Sequence, residues 1–400
     1  MSSNLRIMKT NFSYDLLIIG GGLSACVFAS RYLQNNIKKK IALIEVGRGL
    51  GGRSSTRISK RYKGWMLNHG APNFNISKNN DNPLLKNFID QLLVNKFIKI
   101  DDSELIFLGD ETKLETIKKS EFYSGDRYLS SFSMSELSQK IIEFNNLRGK
   151  IDLFFESLIV DLRFNNDEWT LTSKKGDKFK AKFLVCSTNL LLHKRSLDIL
   201  NINQIPLRKA IPKNKDKKID LLLNFLNKQS FIPRLTFLIY TNENYSYKDF
   251  YSKKYRIFHL KKSLENKYKF ERVVFQLQDN KKLGIVIHTK NLDFIDSYAN
   301  AKDEDFFKQK ILTNFNKLFE GNSLVNQLTC SEGISIMKWR ASQPSGYMVP
   351  LSLQFSRNYR IGFCGDWFEG EGFGRIEGSI LSALKLEEKF RIHSNIFFSI

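Results

Sequence analysis

The hydrophobic pattern opens with Asp15-Leu16-Leu17-Ile18-Ile19, a nearly unbroken apolar run closed at once by Gly20-Gly21-Gly22. Such a run reads as a buried strand of a parallel sheet. Leu23 to Gln34 can form a helix that starts directly at the glycine turn, and Ile41-Ala42-Leu43-Ile44 is a second apolar strand. Strand, helix and strand within about 30 residues make a βαβ unit. Further on, Leu158-Ile159-Val160, Trp169-Thr170-Leu171-Thr172 and Phe183-Leu184-Val185-Cys186 are strand-like, separated by the turn signals Asn165-Asn166-Asp167 and Lys175-Gly176-Asp177. Strands at Leu235 to Tyr240, Val273 to Leu277 and Leu283 to His288, followed by a helix over Asp303 to Phe319, predict an α+β segment. Near the C-terminus, a strand from Tyr359 ends in Gly365-Asp366 and a helix opens near Arg375.

The first unit carries recognisable chemistry. Gly20, Gly22 and Ala25 match G-x-G-x-x-A: Gly20 makes the tight turn, Gly22 lets a pyrophosphate approach the backbone, and Ala25 lets helix pack closely on strand. The helix N-terminus at Leu23 and Ser24 offers free amides and a partial positive charge to that anion. Glu45 ends the second strand about 20 positions after Ala25, where an acidic side chain takes the ribose hydroxyls of an adenosine and disfavours a 2′-phosphate. The order of these elements predicts dinucleotide binding. The alternative is a βαβ unit of another α/β fold with a glycine-rich turn.

At 400 residues the chain is long enough for two cores, so a nucleotide-binding domain plus another is expected. No run of about 18 apolar residues exists and the first residues lack a signal-peptide core, which predicts a cytoplasmic protein with no membrane span. Cys26, Cys186, Cys330 and Cys364 are far apart and form no C-x-x-C pair, and the five histidines show no ligand spacing, so no disulfide framework or metal site is expected. His259 and His288 sit in strand-like surroundings and read as structural. The net charge of +22 comes from lysines scattered in small groups, with the densest patch, Lys213 to Lys218, interleaved with Asn214 and Asp216. This reads as surface bias rather than a nucleic-acid site, though it helps anionic substrates arrive.

After Glu45, Gly47, Gly49, Gly51 and Gly52 form a loop whose Arg53 and Arg57 are available to phosphates. A nicotinamide dehydrogenase has no need of this second glycine-arginine loop, but a flavin enzyme does. Leu50-Gly51-Gly52-Arg53-Ser54-Ser55-Thr56-Arg57 resembles the G-G-R-x-x-T segment of the flavoprotein amine oxidase superfamily. Asn68-His69-Gly70-Ala71-Pro72-Asn73-Phe74 is similar to the D-x-G-A-Q-Y-F segment of its renalase-like branch, which passes beside the flavin. It departs in Asn68 for Asp and in Pro72 for Gln, which removes a side-chain amide and an N–H together. Tyr128 to Ile142 resembles the family's G-M-S-x-L helix entry, with Ser133 or Ser135 as the cap and Met134 facing inward, and reads equally as a capped amphipathic helix.

The three runs from Leu158 to Cys186 look like the β-meander that glutathione-reductase-type flavin folds insert, or equally an ordinary extension of the sheet, and it is the resemblance alone that places the backbone of Val160 against the adenine. Ile336-Met337-Lys338-Trp339-Arg340-Ala341-Ser342-Gln343-Pro344 resembles the R-W-x-x-A-x-P strand that lines the cavity over the flavin. Lys338 is there either a flavin neighbour or an exposed lysine. The C-terminal segment is similar to the family's flavin motif. It implies that Gly365 and Asp366 bind ribityl or pyrophosphate oxygens, and that the helix opening at Arg375 and Gly378 aims its positive end at flavin N1 and O2. The covalent-flavin sequence Ser-Gly-Gly-Cys-Tyr is absent, so the FAD is expected to be non-covalent.

Taken together, the resemblance implies a glutathione-reductase-type (Rossmann-like) α/β FAD-binding domain from residues 12–95, 128–195 and 330–395. An α+β substrate domain takes 96–127 and 196–329. It implies a renalase-like oxidoreductase that accepts a hydride from a small substrate, such as a misreduced dihydronicotinamide, and passes electrons to oxygen. A flavin amine oxidase, a desaturase and a flavin-binding scaffold without turnover are the alternatives. The cofactor residues it marks include Gly52, Gly70 and Ala71 beside those above, and the cavity candidates Phe74, Trp339, Trp367 and Phe373 are apolar or aromatic, with Arg340 available to an anionic part of the substrate.

Overall fold

In β1 (Asn11–Ile19), Leu16 and Ile18 enter one apolar core and Leu17 and Ile19 another, so the strand is buried on both faces as its unbroken apolar run predicts. The computed structural model describes residues 11–109, 114–116, 125–144, 149–241, 256–278, 282–300, 303–321, 325, 328 and 331–397. β1 lies between β2 (Ile41–Ile44) and the strand Lys178–Cys186, parallel to both. The strand Ile151–Phe154 adds to the far side of β2, also parallel.

On its edge away from β1, Lys178–Cys186 serves two neighbours. Its first half pairs with the antiparallel meander of Ile159–Asn165 and Glu168–Ser173, and its second half with Ile361–Phe363 in parallel. Asn166 and Asp167 both take positive φ at the meander's first turn, and Gly176 does so at the second.

α1 (Leu23–Asn35) is buried almost all round. It packs between the sheet, the helix Met134–Glu143 and the C-terminal helix Ile376–Phe397, in one core with Met134, Ile380 and Phe390. Ser133 caps the second of these helices in a capping box with Glu136, and Met134 is a core residue.

A second, seven-stranded sheet runs in the order Ser331–Ser345, Ser230–Thr241, Leu283–Thr289, Arg272–Leu277, Ile257–Leu260, Ile106–Leu108 and Leu114–Thr116. Period-2 alternation sorts its side chains. Phe237, Phe258, Val273, Ile285 and Ile287 face a layer that includes the helices Leu292–Ala299 and Glu304–Leu318. Leu238, Tyr240, Ile257, Val274 and Val286 face Trp65 and Leu67 on the other side. The strand Met66–Asn68 docks there through side chains: Gln276 accepts from Asn68 N and donates to Asn68 O, each at 2.9 Å, and Gln278 accepts from Met66 N at 2.8 Å.

Two sequence boundaries move. Ser331–Ser345 belongs to the second sheet, and Ile219, Leu222 and Leu226 of the helix Lys217–Lys228 pack under the first. Periodicity shows that a helix has an apolar stripe but not which sheet it covers. Asp216, inside the basic patch, is a buried N-cap for that helix. Cys26, Cys186 and Cys364 are buried and free, while Cys330 lies outside the described residues. Among the described residues, no helix is long and apolar enough to cross a membrane.

Candidate functional site

The turn after β1 starts at Gly20 with φ +104°, and Gly22 caps α1 without a side chain. Beside it, Glu45 accepts from Gly21 N–H at 2.5 Å and from Gly47 N–H at 2.6 Å, one bond to each carboxylate oxygen. The two glycine loops touch, with Gly51 N donating to Gly21 O at 2.9 Å. Together they border a cleft of about 1410 Å³ that Gly20, Gly22, Glu45, Gly52, Arg53 and Arg57 help to line. A Cβ built on Gly22 would meet no atom within 4 Å, because it would project into this cleft. Open space over a helix N-terminus, with an acid at the next strand's end, fits a dinucleotide.

The cleft joins a second, inner cavity of about 440 Å³ across the shared lining residues Gly22, Arg53, His69, Ser187 and Trp339. Here motifs from opposite ends of the chain meet. Arg53 donates to Asp366 at 2.5 Å, and Asp366 is buried. A Cβ on Gly70 would sit 2.0 Å from the carbonyl oxygen of Arg53, so only glycine lets this segment lie against the arginine loop. Ala71 N–H donates to that same carbonyl. Leu23, Ser24, Phe74, Gly365 and Arg375 also line the inner cavity. Glu377, fully buried in the first turn of the C-terminal helix, accepts from Ser77 N, Ser77 Oγ and Asn80 Nδ2 at 2.8–3.0 Å and so fixes the loop beside it.

Other predicted residues lie elsewhere. Ala25 is fully buried against the sheet, in the packing role its motif assigns. Gly378 lines neither cavity and instead gives room to Gly372, whose carbonyl oxygen accepts its N–H at 3.2 Å. Val160 also lines neither, while Ile151, Leu153, Phe155 and Glu156 line the cleft near Glu45. Of the run Lys338-Trp339-Arg340, only Trp339 reaches the cavities, because neighbouring strand positions face opposite sides and the other two are exposed. Trp339 stacks on His69 with ring centroids 5.1 Å apart. Trp367 lines the outer cleft and Phe373 lines neither space.

The expectation of an apolar cavity is corrected by the second sheet. His259 pairs with Arg272, Arg272 with His288, and His288 with Thr236, which makes a polar row across four strands. His259, Arg272 and His288 line the inner cavity, as do Arg127, Arg234 and Glu271. The sequence signal was available but lacked a face: His259 and His288 interrupt otherwise apolar strands, and period 2 alone does not say which side is the core.

Charges in this wall are tightly arranged. Arg234 grips Glu271 with two hydrogen bonds, of 2.8 and 3.0 Å. Burial works to raise the Glu271 carboxyl, but the bonds and charge of Arg234, with Arg272 and Lys290, hold it well below the usual carboxylate range. Burial and then Arg272 lower His259 to about 3, and the same two causes push His288 well below its ordinary value. Burial and then Arg57 lower His69 to about 4. All three imidazoles are therefore neutral at pH 7. In His288, Nδ1 accepts from Arg272 Nε at 3.2 Å, so Nε2 carries the proton and donates to His69 O at 3.1 Å.

The Glu45 geometry makes one prediction. Glu45→Gln removes a charge-assisted acceptor, so dinucleotide retention should weaken by roughly 1–3 kcal/mol while the chain stays folded. Titration of the cofactor into both proteins measures this, and equal affinity would remove Glu45 from the site.

Residues 18–92 match the family model described as an NAD(P)-binding Rossmann-like domain. No curated protein matches the sequence. Among solved structures, putrescine oxidase bound to putrescine is similar at 11% identity and TM-score 0.63, over 96% of this chain and 100% of that one. Cyclohexylamine oxidase from Brevibacterium oxydans IH-35A is similar at 11% identity and TM-score 0.64, over 96% and 99%. A putative protoporphyrinogen oxidase from Exiguobacterium sp. 255-15 is similar at 10% identity and TM-score 0.64, over the same shares. At these identities the likeness is one of fold, and it spans both sheets.

Proposed function

We propose that the protein is an FAD-dependent, renalase-like oxidoreductase of the cytoplasm that accepts a hydride from a small substrate and passes the electrons to oxygen. The observation that carries this reading is the Arg53–Asp366 contact at the junction of the two cavities. A nicotinamide dinucleotide needs only the outer cleft's glycine turn and acid. A second arginine loop clasped to a C-terminal Gly-Asp, opening on an inner cavity, fits the longer FAD with its ring directed inward.

In this reading the amides at the start of α1 and Arg53 receive the pyrophosphate, and Glu45 receives the ribose hydroxyls. Asp366 accepts from hydroxyls of the ribityl chain. FAD bound there, without a covalent link, supplies a two-electron acceptor. The N-terminus of the C-terminal helix, held by Glu377 and lining the inner cavity through Arg375 and Ile376, would offer its dipole to negative charge on the reduced ring. Trp339 and His69 form one wall of the substrate space, and the neutral imidazoles of His259 and His288 line it without adding charge. Hydride loss from a dihydropyridine already yields an aromatic cation, so a site whose lining carboxylates, Glu271 and Asp366, are already held by Arg234 and Arg53 suits a misreduced dihydronicotinamide.

The test is anaerobic mixing of the flavin-loaded protein with 2- and 6-dihydro isomers of NAD(P). Bleaching of the flavin band by either supports the proposal. Bleaching by a primary or secondary amine instead makes the protein an amine oxidase, and no bleaching by any donor favours a scaffold.

A further inference from the structure

The inner cavity is lined by more arginines than carboxylates. Among the described residues, Arg53, Arg127, Arg234, Arg272 and Arg375 line it, with Glu271 and Asp366 as the lining carboxylates. Asp366 answers Arg53 and Glu271 answers Arg234. Arg127 is in a different position. It is 4% exposed, its Nη2 donates to Ser103 O, and its Nε and Nη1 have no hydrogen-bond partner among the described residues.

The nearest acid does not fill that gap. Asp101 Oδ2 lies 3.8 Å from Arg127 Nη1 and already accepts from Asn73 Nδ2 at 2.6 Å. Its Oδ1 accepts from Ser103 N at 3.1 Å and lies 3.9 Å from Arg256. Directly across the strand pair from Arg127 stands Asn75, also buried and lining the cavity, whose Nδ2 likewise has no partner among the described residues. Buried donors without acceptors are costly, and paired ones at a cavity wall mark where a ligand's acceptor sits.

We infer that the inner cavity takes a small organic anion, a carboxylate or a phosphate, whose oxygens accept from Arg127 and Asn75. The strand pair fixes both donors on one face, and Arg272 and the neutral imidazoles of His259 and His288 stand in the same cavity. A protonated amine would enter against this field, so the site separates anionic substrates from the diamines that a related fold accepts. The placement of the substrate's reacting carbon rests on the flavin reading above, whereas the anion site stands on the protein's own donors.

The two are tested separately by calorimetry on the flavin-loaded and flavin-free chain, with benzoate, phenyl phosphate and benzylamine as probes at constant ionic strength. Saturable binding of benzoate or phenyl phosphate and none of benzylamine is expected in at least the flavin-loaded form. Arg127→Gln should weaken anion binding at least tenfold with flavin content unchanged. Asn75→Asp sets a carboxylate opposite Arg127 and should abolish anion binding, which keeps the inference testable if the arginine variant does not fold. Binding of benzylamine alone, of no probe, or of the anions with equal strength by both variants overturns the anion site. Absence of flavin from the wild-type chain would count against the cofactor reading alone.

Discussion

Gly22→Leu is expected to give a folded chain that retains no dinucleotide. Gly22 has φ −72° and ψ 170°, a conformation open to any L-residue, so the substitution carries no backbone strain. A Cβ there meets no protein atom within 4 Å, so the side chain starts out into the cleft and not into the fold. The same space is where a pyrophosphate must lie to reach the amides of α1. Losing that contact should cost at least about 2.7 kcal/mol, or a hundredfold in affinity. Gly22→Ala should lose less, in proportion to its bulk. Cofactor titration and urea unfolding of the two variants check both halves. Wild-type affinity in the leucine variant would place the cofactor elsewhere.

Acidification should destabilise the chain before its carboxylates titrate. His69, His259 and His288 have folded-state values pushed below the ordinary histidine value, so an unfolded chain takes up protons that the folded one refuses. Their contribution is complete above pH of about 6.5 and is lost as pH falls from there toward about 4 for His69 and about 3 for His259. At pH of about 5 the loss is about 2 kcal/mol for each of these two. Glu271 is lowered as well, so its share is present above the ordinary carboxylate range and is lost only below it. Burial raises Glu387, which works in the opposite sense and offsets a part of the loss in acid. Urea unfolding at neutral pH and near pH 5 measures the slope, and His259→Gln should flatten it. Constant stability across that range would contradict the burial of neutral imidazoles.

Much of the dinucleotide half was legible because its signals are local. Gly20, Gly22, Ala25 and Glu45 lie on one βαβ unit, where strand end, turn and helix start are fixed by neighbouring residues. The meander was readable for the same reason, since Asn166, Asp167 and Gly176 mark its turns. The wall of the inner cavity was not. Arg127, His259, Arg272 and His288 come from separate strands, and they meet only through the register of two sheets. A polar residue in an apolar strand gives no sign of whether it faces solvent, a core or a cavity until its partner strands are known. Lys338 and Arg340 show the converse, where a sequence motif names consecutive residues but a strand can bring only alternate ones to the site.

The flavin content of the native chain tests the central claim most directly. Protein purified without denaturant and supplied with excess FAD should carry a flavin absorption band near equimolar to chain. The flavin should leave on heat or acid denaturation, as a non-covalent cofactor does. A well-folded chain that takes up no flavin under any condition, or that binds NAD tightly in its place, would contradict it.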